Sequence, residues 1–401
     1  MPDQDRDSPM PSFSPSRLTL ARQRRGWTMV ELFERSGLST RSLSEYEAGR
    51  GSPTAENVER LSFALGFPAS FFLSEEAVPL FPSPRRGEDP YTASPASFRS
   101  HYRIPSRDRE RVLAAGLIAV MFAEQINQRF TMPPPAIPEF DLDQNLSLKP
   151  ETVAEAVRSL WGLGAGPINN MVHLLEAKGV RVFRLVEELK EVDAFAFWRS
   201  NTPYVILNTT KSGERSRFDA AHELGHLVMH RHRDVCGRDA EEEANRFAAA
   251  FLLPKESFRK SCPTAPVLDY LLGLKPGWKV SVAAMVKRGQ DMGIFSEWQA
   301  RQAWIEISRR GWRTKEPNPL PHEYSQAYAK IQALLTRRGK TFRDIADELH
   351  LPWAEVEAVL PLDLSAPLVT PSIPTESAPA PVAQEVLGHR EHLRLIRGGS
   401  R

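Results

Sequence analysis

From Arg17 to Phe72, apolar residues recur every three or four positions in five short runs, RLTLARQRR, TMVELFERSG, STRSLSEYEAG, TAENVERLSFALG and PASFF. That spacing predicts five short helices in a compact bundle. The second and third runs form a helix-turn-helix pattern. Leu32 is apolar, the chain turns at Gly37-Leu38, Ser39 is placed to cap the next helix, and Leu43 and Tyr46 fall on its buried face.

Helical spacing returns over 106–130 and is stopped by PPPAIP at 133–138, where consecutive prolines remove backbone donors. Further helices are predicted over 150–161 and 168–179, the latter ended by Gly179. Three β-like runs follow, VRVFRL (180–185), AFAFW (194–198) and YVILN (204–208), and the rest of the chain is helical to about 362. Within it, 340–360 is faintly helix-turn-helix-like, but its second helix carries Glu355 and Glu357 and no basic residue, which favours a structural helical cap. The expected class is mainly α with a small β-sheet (α+β).

Composition sets the boundaries. Pro, Ser and Asp dominate 1–15 and Pro, Ala and Ser the tail at 363–401, predicting disordered ends, and five prolines with charges mark 78–104 as a linker. Between them lie the helix-turn-helix unit (16–77), a helical connector (105–149), a core (150–260) and a helical C-terminal part (261–362). Net charge is +2, from 52 Lys+Arg and 50 Asp+Glu, and decides nothing about partners. Locally, 17–50 holds seven Arg against four Glu, an excess that favours phosphate.

Two cysteines, Cys236 and Cys262, provide neither a disulfide framework nor a thiolate zinc cluster, and Cys236 is read as a free thiol. The longest apolar run, 112–123, is short of the ~18–20 residues of a membrane helix. No secretory leader pattern opens the chain. A cytoplasmic protein without membrane contact is expected.

The chemistry concentrates in AHELGHLVMH, 221–230. On a helix, His222 and His226 project from one face a turn apart, so both imidazoles can reach one metal ion. Glu223 sits beside them, placed to take a proton without occupying a coordination position. Phe218, Ala221, Gly225 and Val228 form the opposite face, with Gly225 expected to approach the sheet. The competing reading is of surface or core histidines on an ordinary helix. A catalytic zinc needs a third protein ligand. The acidic start of DAEEEANRFAAAFLLP (239–254) supplies Glu241, Glu242 or Glu243, and Ala244 and Ala248 would let this helix lie close to the first. His230 continues the histidine stripe as a helix-end or outer residue. YVILN, if at a sheet edge, could hold an extended substrate.

Two resemblances add to this. Residues 17–72, with YEAGRGSPT at 46–54, resemble the XRE (phage-repressor-like) DNA-binding domain, although Phe33 stands where such domains usually carry alanine. The resemblance implies a double-stranded DNA partner, with Thr40, Arg41, Ser42 and Ser44 nearest base edges and Arg50 near phosphate. ERSRFDAAHELGHLVMH followed by EEEANRFAAAFLLP resembles the ImmA/IrrE metallopeptidases, over roughly 150–360. That implies a zincin-like domain holding one zinc ion on His222, His226 and Glu241. Glu223 would be the general base, with Asn245 and His230 outside the ligands. The combination implies a zinc endopeptidase with its own DNA-binding domain, controlling transcription under stress by cleaving an XRE-type repressor. The alternative is an XRE-family regulator or antitoxin-like protein whose peptidase-like domain acts as a sensor. A homodimer is left open.

Overall fold

The computed structural model describes residues 12–74, 105–140, 149–185, 194–231 and 237–363. These divide into two compact units: 12–74, 105–128 and 334–360 in one, and the remainder in the other. The 78–104 linker, Cys236 and most of both expected disordered ends lie outside the described residues.

The first unit opens with α1 (Pro15–Arg25), α2 (Met29–Ser36), α3 (Thr40–Glu47), α4 (Ala55–Leu65) and α5 (Ala69–Phe72). Local sequence fixes their ends. Thr28 and Glu31 form a reciprocal capping box at α2, and the Ser39 and Thr54 hydroxyls accept from backbone N–H groups at the starts of α3 and α4. Gly37 closes α2 at φ 69°, a left-handed conformation that costs glycine little. Leu18, Leu32, Leu43, Leu61, Leu65, Phe71 and Phe72 are buried in the bundle. A long helix, α6 (Ser106–Asn127), packs on α1 within this unit.

The second unit begins its regular structure with α7 (Pro150–Leu160) and α8 (Met171–Ala177), then a three-stranded sheet of β1 (Arg181–Leu185), β2 (Ala194–Arg199) and β3 (Thr202–Asn208). Sheet order is β1-β3-β2; β1 runs parallel to β3 with Phe183 opposite Ile206, and β2 antiparallel with Ala196 opposite Val205. Alternation sorts the two faces. Val182, Ala194, Ala196, Val205 and Leu207 join the same core as α9 (Gly213–Met229) and α10 (Arg238–Leu252). On the other face Phe195 stacks on Phe197 and Phe197 on Tyr204, while Phe183 meets Tyr328 at 5.2 Å.

YVILN is therefore not an edge. As β3 it is hydrogen-bonded on both sides, and its backbone has no free row for a substrate. Among the described strands, β1 and β2 flank it. The reason is the parallel β1–β3 pairing, which a reading of local pattern does not reveal.

The chain continues through α11 (Lys255–Ser261), α12 (Leu268–Trp278), α13 (Val282–Asp291), α14 (Glu297–Arg309) and α15 (Gln326–Thr336). Distant carboxylates satisfy the N–H groups left over at three helix starts, where the macrodipole also favours negative charge. Glu323 accepts from Met171 and Val172 at α8, Glu316 from Val282 and Ala283 at α13, and Glu176 from Gln326 and Ala327 at α15. At the other end of α10, Arg158 Nη1 donates to Phe251 O at 2.6 Å and Arg288 Nε to Leu253 O at 3.1 Å.

Finally α16 (Phe342–Glu348) and α17 (Trp353–Val359) belong to the first unit and pack on α6. Arg17, fully buried, donates to Phe71 O and Leu349 O, both at 3.3 Å.

Candidate metal centre and DNA-facing helix

α9 is fixed before it reaches its histidines. Ser212 caps it, and Gly213 lies so close to Leu320 O and Pro321 O that a Cβ there would come within 2.4 Å of backbone. Glu214 pairs with Lys275, and Arg217 with both Glu323 and Ile168 O; all four charged groups are nearly or fully withdrawn from water. Such pairs hold position, because breaking one leaves an uncompensated buried charge.

On this anchored helix the polar stripe runs Asp219, His222, Glu223, His226 and His230. Beside it, Gly225 faces α10, where an added Cβ would meet Phe247 Cδ1 at 3.1 Å and Ala244 Cα at 3.3 Å. The expected approach of Gly225 to the sheet is thus corrected. Its missing side chain lets α10 close in, while alanines and leucines of α9 cover the strands.

That close crossing brings Glu241 to the histidines. His226 Nε2 lies 3.1 Å from His222 Nε2 and 3.1 Å from Glu241 Oε1, and His222 Nε2 is 3.3 Å from Glu241 Oε2. Two imidazole nitrogens and one carboxylate at these separations fit one zinc ion, since bonds of about 2.0–2.1 Å at tetrahedral angles place ligand atoms ~3.3 Å apart. Among the described residues this is the group of His, Cys, Asp and Glu able to hold a metal. His226 is buried, and the His222 side chain is 11% exposed, leaving one side open.

Electrostatics match a cation site. Burial pushes His226 down to about 3, against the pull of Glu241, so its ring is neutral. Burial also opposes charge on His222, but Glu241, Glu223 and Asp219 outweigh it and raise that ring. Glu241 is desolvated, yet its contacts with both histidines hold its carboxyl far below the usual range.

The outer groups are also placed. His222 Nδ1 lies 3.1 Å from Asn245 Oδ1, and His226 Nδ1 lies 2.8 Å from Nδ1 of His230, the residue that caps α9. His230 Nε2 lies 2.9 Å from Glu243 Oε2. Glu223 is 2% exposed and directly follows His222 in the stripe. Glu243 entered the sequence reading only as a rival ligand. A usable signal was the third histidine at the same four-residue spacing, which needs a partner of its own.

In the first unit, Thr40, Arg41 and Ser44 are exposed on α3, Ser42 is half-buried, and Arg50 is exposed just beyond. Arg41 Nε lies 3.2 Å from Glu45 Oε1, so that carboxylate is partly neutralised on the same helix. Phe33 is 43% exposed, so its ring leaves the bundle rather than filling a helix crossing. The local arginine excess does not face outward as a whole. Arg17 is buried, Arg22 pairs with Glu47, and Arg24 and Arg25 pair with Glu355. Arg35, which stacks on Trp27, joins Arg41 and Arg50 on the exposed side.

Comparison with known families agrees with both halves of this picture. Residues 18–72 match the helix-turn-helix family, and residues 175–289 match the IrrE N-terminal-like domain, a peptidase family. The first span covers α1–α5; the second holds every residue of the candidate metal centre. No curated protein matches the chain. No described helix is long and apolar enough to cross a membrane.

Proposed function

We propose that this chain is a zinc-dependent endopeptidase, joined to its own DNA-binding helix-turn-helix, that controls transcription by cutting a repressor-type regulator. The observation that carries the reading is the triangle of His222 Nε2, His226 Nε2 and Glu241, with sides that suit a single zinc ion. The peptidase-family match over the same residues supports it.

Zinc, when bound, supplies Lewis acidity toward a peptide carbonyl and lowers the pKa of water. The chain supplies the rest. His222, His226 and Glu241 would hold the ion. Glu223, buried beside His222, takes a proton from the attacking water and returns it to the leaving amine; such positioned proton transfer contributes about 10²–10⁴-fold. Thr40, Arg41, Ser42 and Ser44 read base edges and Arg50 contacts phosphate.

The test replaces Glu223 by Gln. Zinc stays bound, and new protein N-termini seen in cells making the natural chain are absent with the variant. If both proteins bind zinc and give identical N-terminal profiles with unchanged transcription, the peptidase reading is wrong and the domain acts as a sensor.

A further inference from the structure

His226 uses both ring nitrogens. Nε2 faces His222 and Glu241, and Nδ1 lies 2.8 Å from Nδ1 of His230. Two ring nitrogens at that distance share one proton, so one donates and the other accepts.

The direction is set further out. His230 Nε2 lies 2.9 Å from Glu243 Oε2, and an ionised carboxylate only accepts, so His230 Nε2 carries a proton. A neutral His230 then has its lone pair on Nδ1. The proton in the 2.8 Å contact therefore belongs to His226 Nδ1, and the His226 lone pair falls on Nε2. That is the nitrogen at the metal centre. With His230 in its other neutral tautomer, lone pairs of Nε2 and Glu243 would oppose each other at 2.9 Å.

We propose that Glu243, acting through His230, is a positioning residue: it fixes the tautomer and orientation of His226 so that Nε2 is offered to the metal. This deepens the zinc reading above and rests on it. It also divides the acidic start of α10 by role. Glu241 reaches the two histidines directly, and Glu243 reaches the third histidine of the stripe. Asn245, at 3.1 Å from His222 Nδ1, is the matching acceptor for the other ring. Both imidazoles are thereby oriented by α10, the helix that also brings Glu241. One helix crossing, held close by Gly225, sets the whole centre.

Burial adds a reason for a relay. The His226 and His230 side chains are each 1% exposed, while Glu243 is 31% exposed. His230 carries the influence of a solvated carboxylate inward to a ring that water cannot reach. A carboxylate placed in His230's position, directly beside His226 Nδ1, would have to be buried, at a desolvation cost.

The experiment measures zinc affinity of the full-length chain by competition with a chromophoric chelator, for the natural protein, Glu243→Ala and Glu243→Gln. Thermal unfolding of each zinc-free protein is followed alongside. Loss of such an outer partner weakens metal binding by about 10–100-fold, which is the result expected for Glu243→Ala. Glu243→Gln keeps an amide oxygen that accepts from His230 Nε2–H and recovers most of that loss. In the zinc-loaded natural protein, nitrogen-15 spectra show a proton on His226 Nδ1 protected from solvent, and Glu243→Ala removes the protection. If the natural protein binds zinc and Glu243→Ala binds it within twofold as tightly, the proposal is overturned and the zinc reading stands. Lower zinc-free stability with unchanged zinc affinity also overturns it, making the contact a structural tie. If the natural protein binds no zinc, both readings fall.

Discussion

Glu355 accepts from Arg24 Nε at 2.6 Å, across 331 residues of sequence, and the same carboxylate accepts from Arg25 Nη1 at 2.5 Å. The Arg24 and Glu355 side chains are 8% and 7% exposed. This acidic residue, which argues against phosphate binding by α17, instead holds α17 to α1 within the first unit.

Removing that carboxylate strands a buried guanidinium, which typically costs about 3–5 kcal/mol. Glu355→Ala is expected to destabilise the first unit by roughly that amount. Hydrogen exchange would show faster opening of α1, with α9 and α10 unaffected. Protection of α1 equal to that of the natural chain would mean that the pair adds little.

Gly225→Ala tests the helix crossing at the metal centre. The new Cβ would meet the ring of Phe247 and the Cα of Ala244, and only the ring can give way. Overpacking of this kind costs about 1–3 kcal/mol. Because α10 also carries Glu241, the variant is expected to bind zinc more weakly as well as unfold earlier. Titration with zinc and denaturant would detect both, and an unchanged zinc affinity would show that the crossing has slack.

For DNA binding, Arg41 and Arg50 should behave unlike Arg22. The first two are exposed, whereas Arg22 is tied to Glu47 at 2.7 Å and to Trp27 O at 2.8 Å. If Arg50 contacts a phosphate, Arg50→Ala lowers the slope of log affinity against log salt by about 1. Arg41→Ala weakens binding to the preferred sequence more than to others. Arg22→Ala lowers stability first. Gel shifts across a salt series separate these outcomes.

Acid should loosen the second unit. Burial pushes the Glu214 carboxyl up, but Lys275 and backbone donors outweigh it, leaving the group below its ordinary value. A carboxyl lowered on folding stabilises above its unfolded pKa of about 4.3, and that stability is lost as pH falls through this value toward the folded pKa. The denaturant midpoint should fall between about pH 5 and pH 3, over the range in which such linkage acts. Glu214→Gln should show a lower midpoint at pH 7 and a shallower fall. Parallel pH curves for the two proteins would exclude this pair as a source.

Much of this molecule follows from neighbours in sequence. Ser39, Thr54 and the Thr28–Glu31 box start their helices through bonds within three residues. His222 and His226 share a face because four residues make about one helical turn. Local geometry is enough for such features, so the helices, the three strands and the histidine pair were legible.

Other features joined segments that no local pattern links. The parallel β1–β3 pairing put YVILN in the middle of the sheet, and the α9–α10 crossing turned Gly225 toward Ala244 and Phe247. Arginines that read as a basic excess were spent on Glu47, Glu355 and backbone carbonyls. Glu243, one of three consecutive glutamates, acquired its partner only when α10 crossed α9. Periodicity tells which side of a helix a residue occupies. Only packing decides what that side meets, because a charge leaves water when the right counter-charge or donor arrives with it.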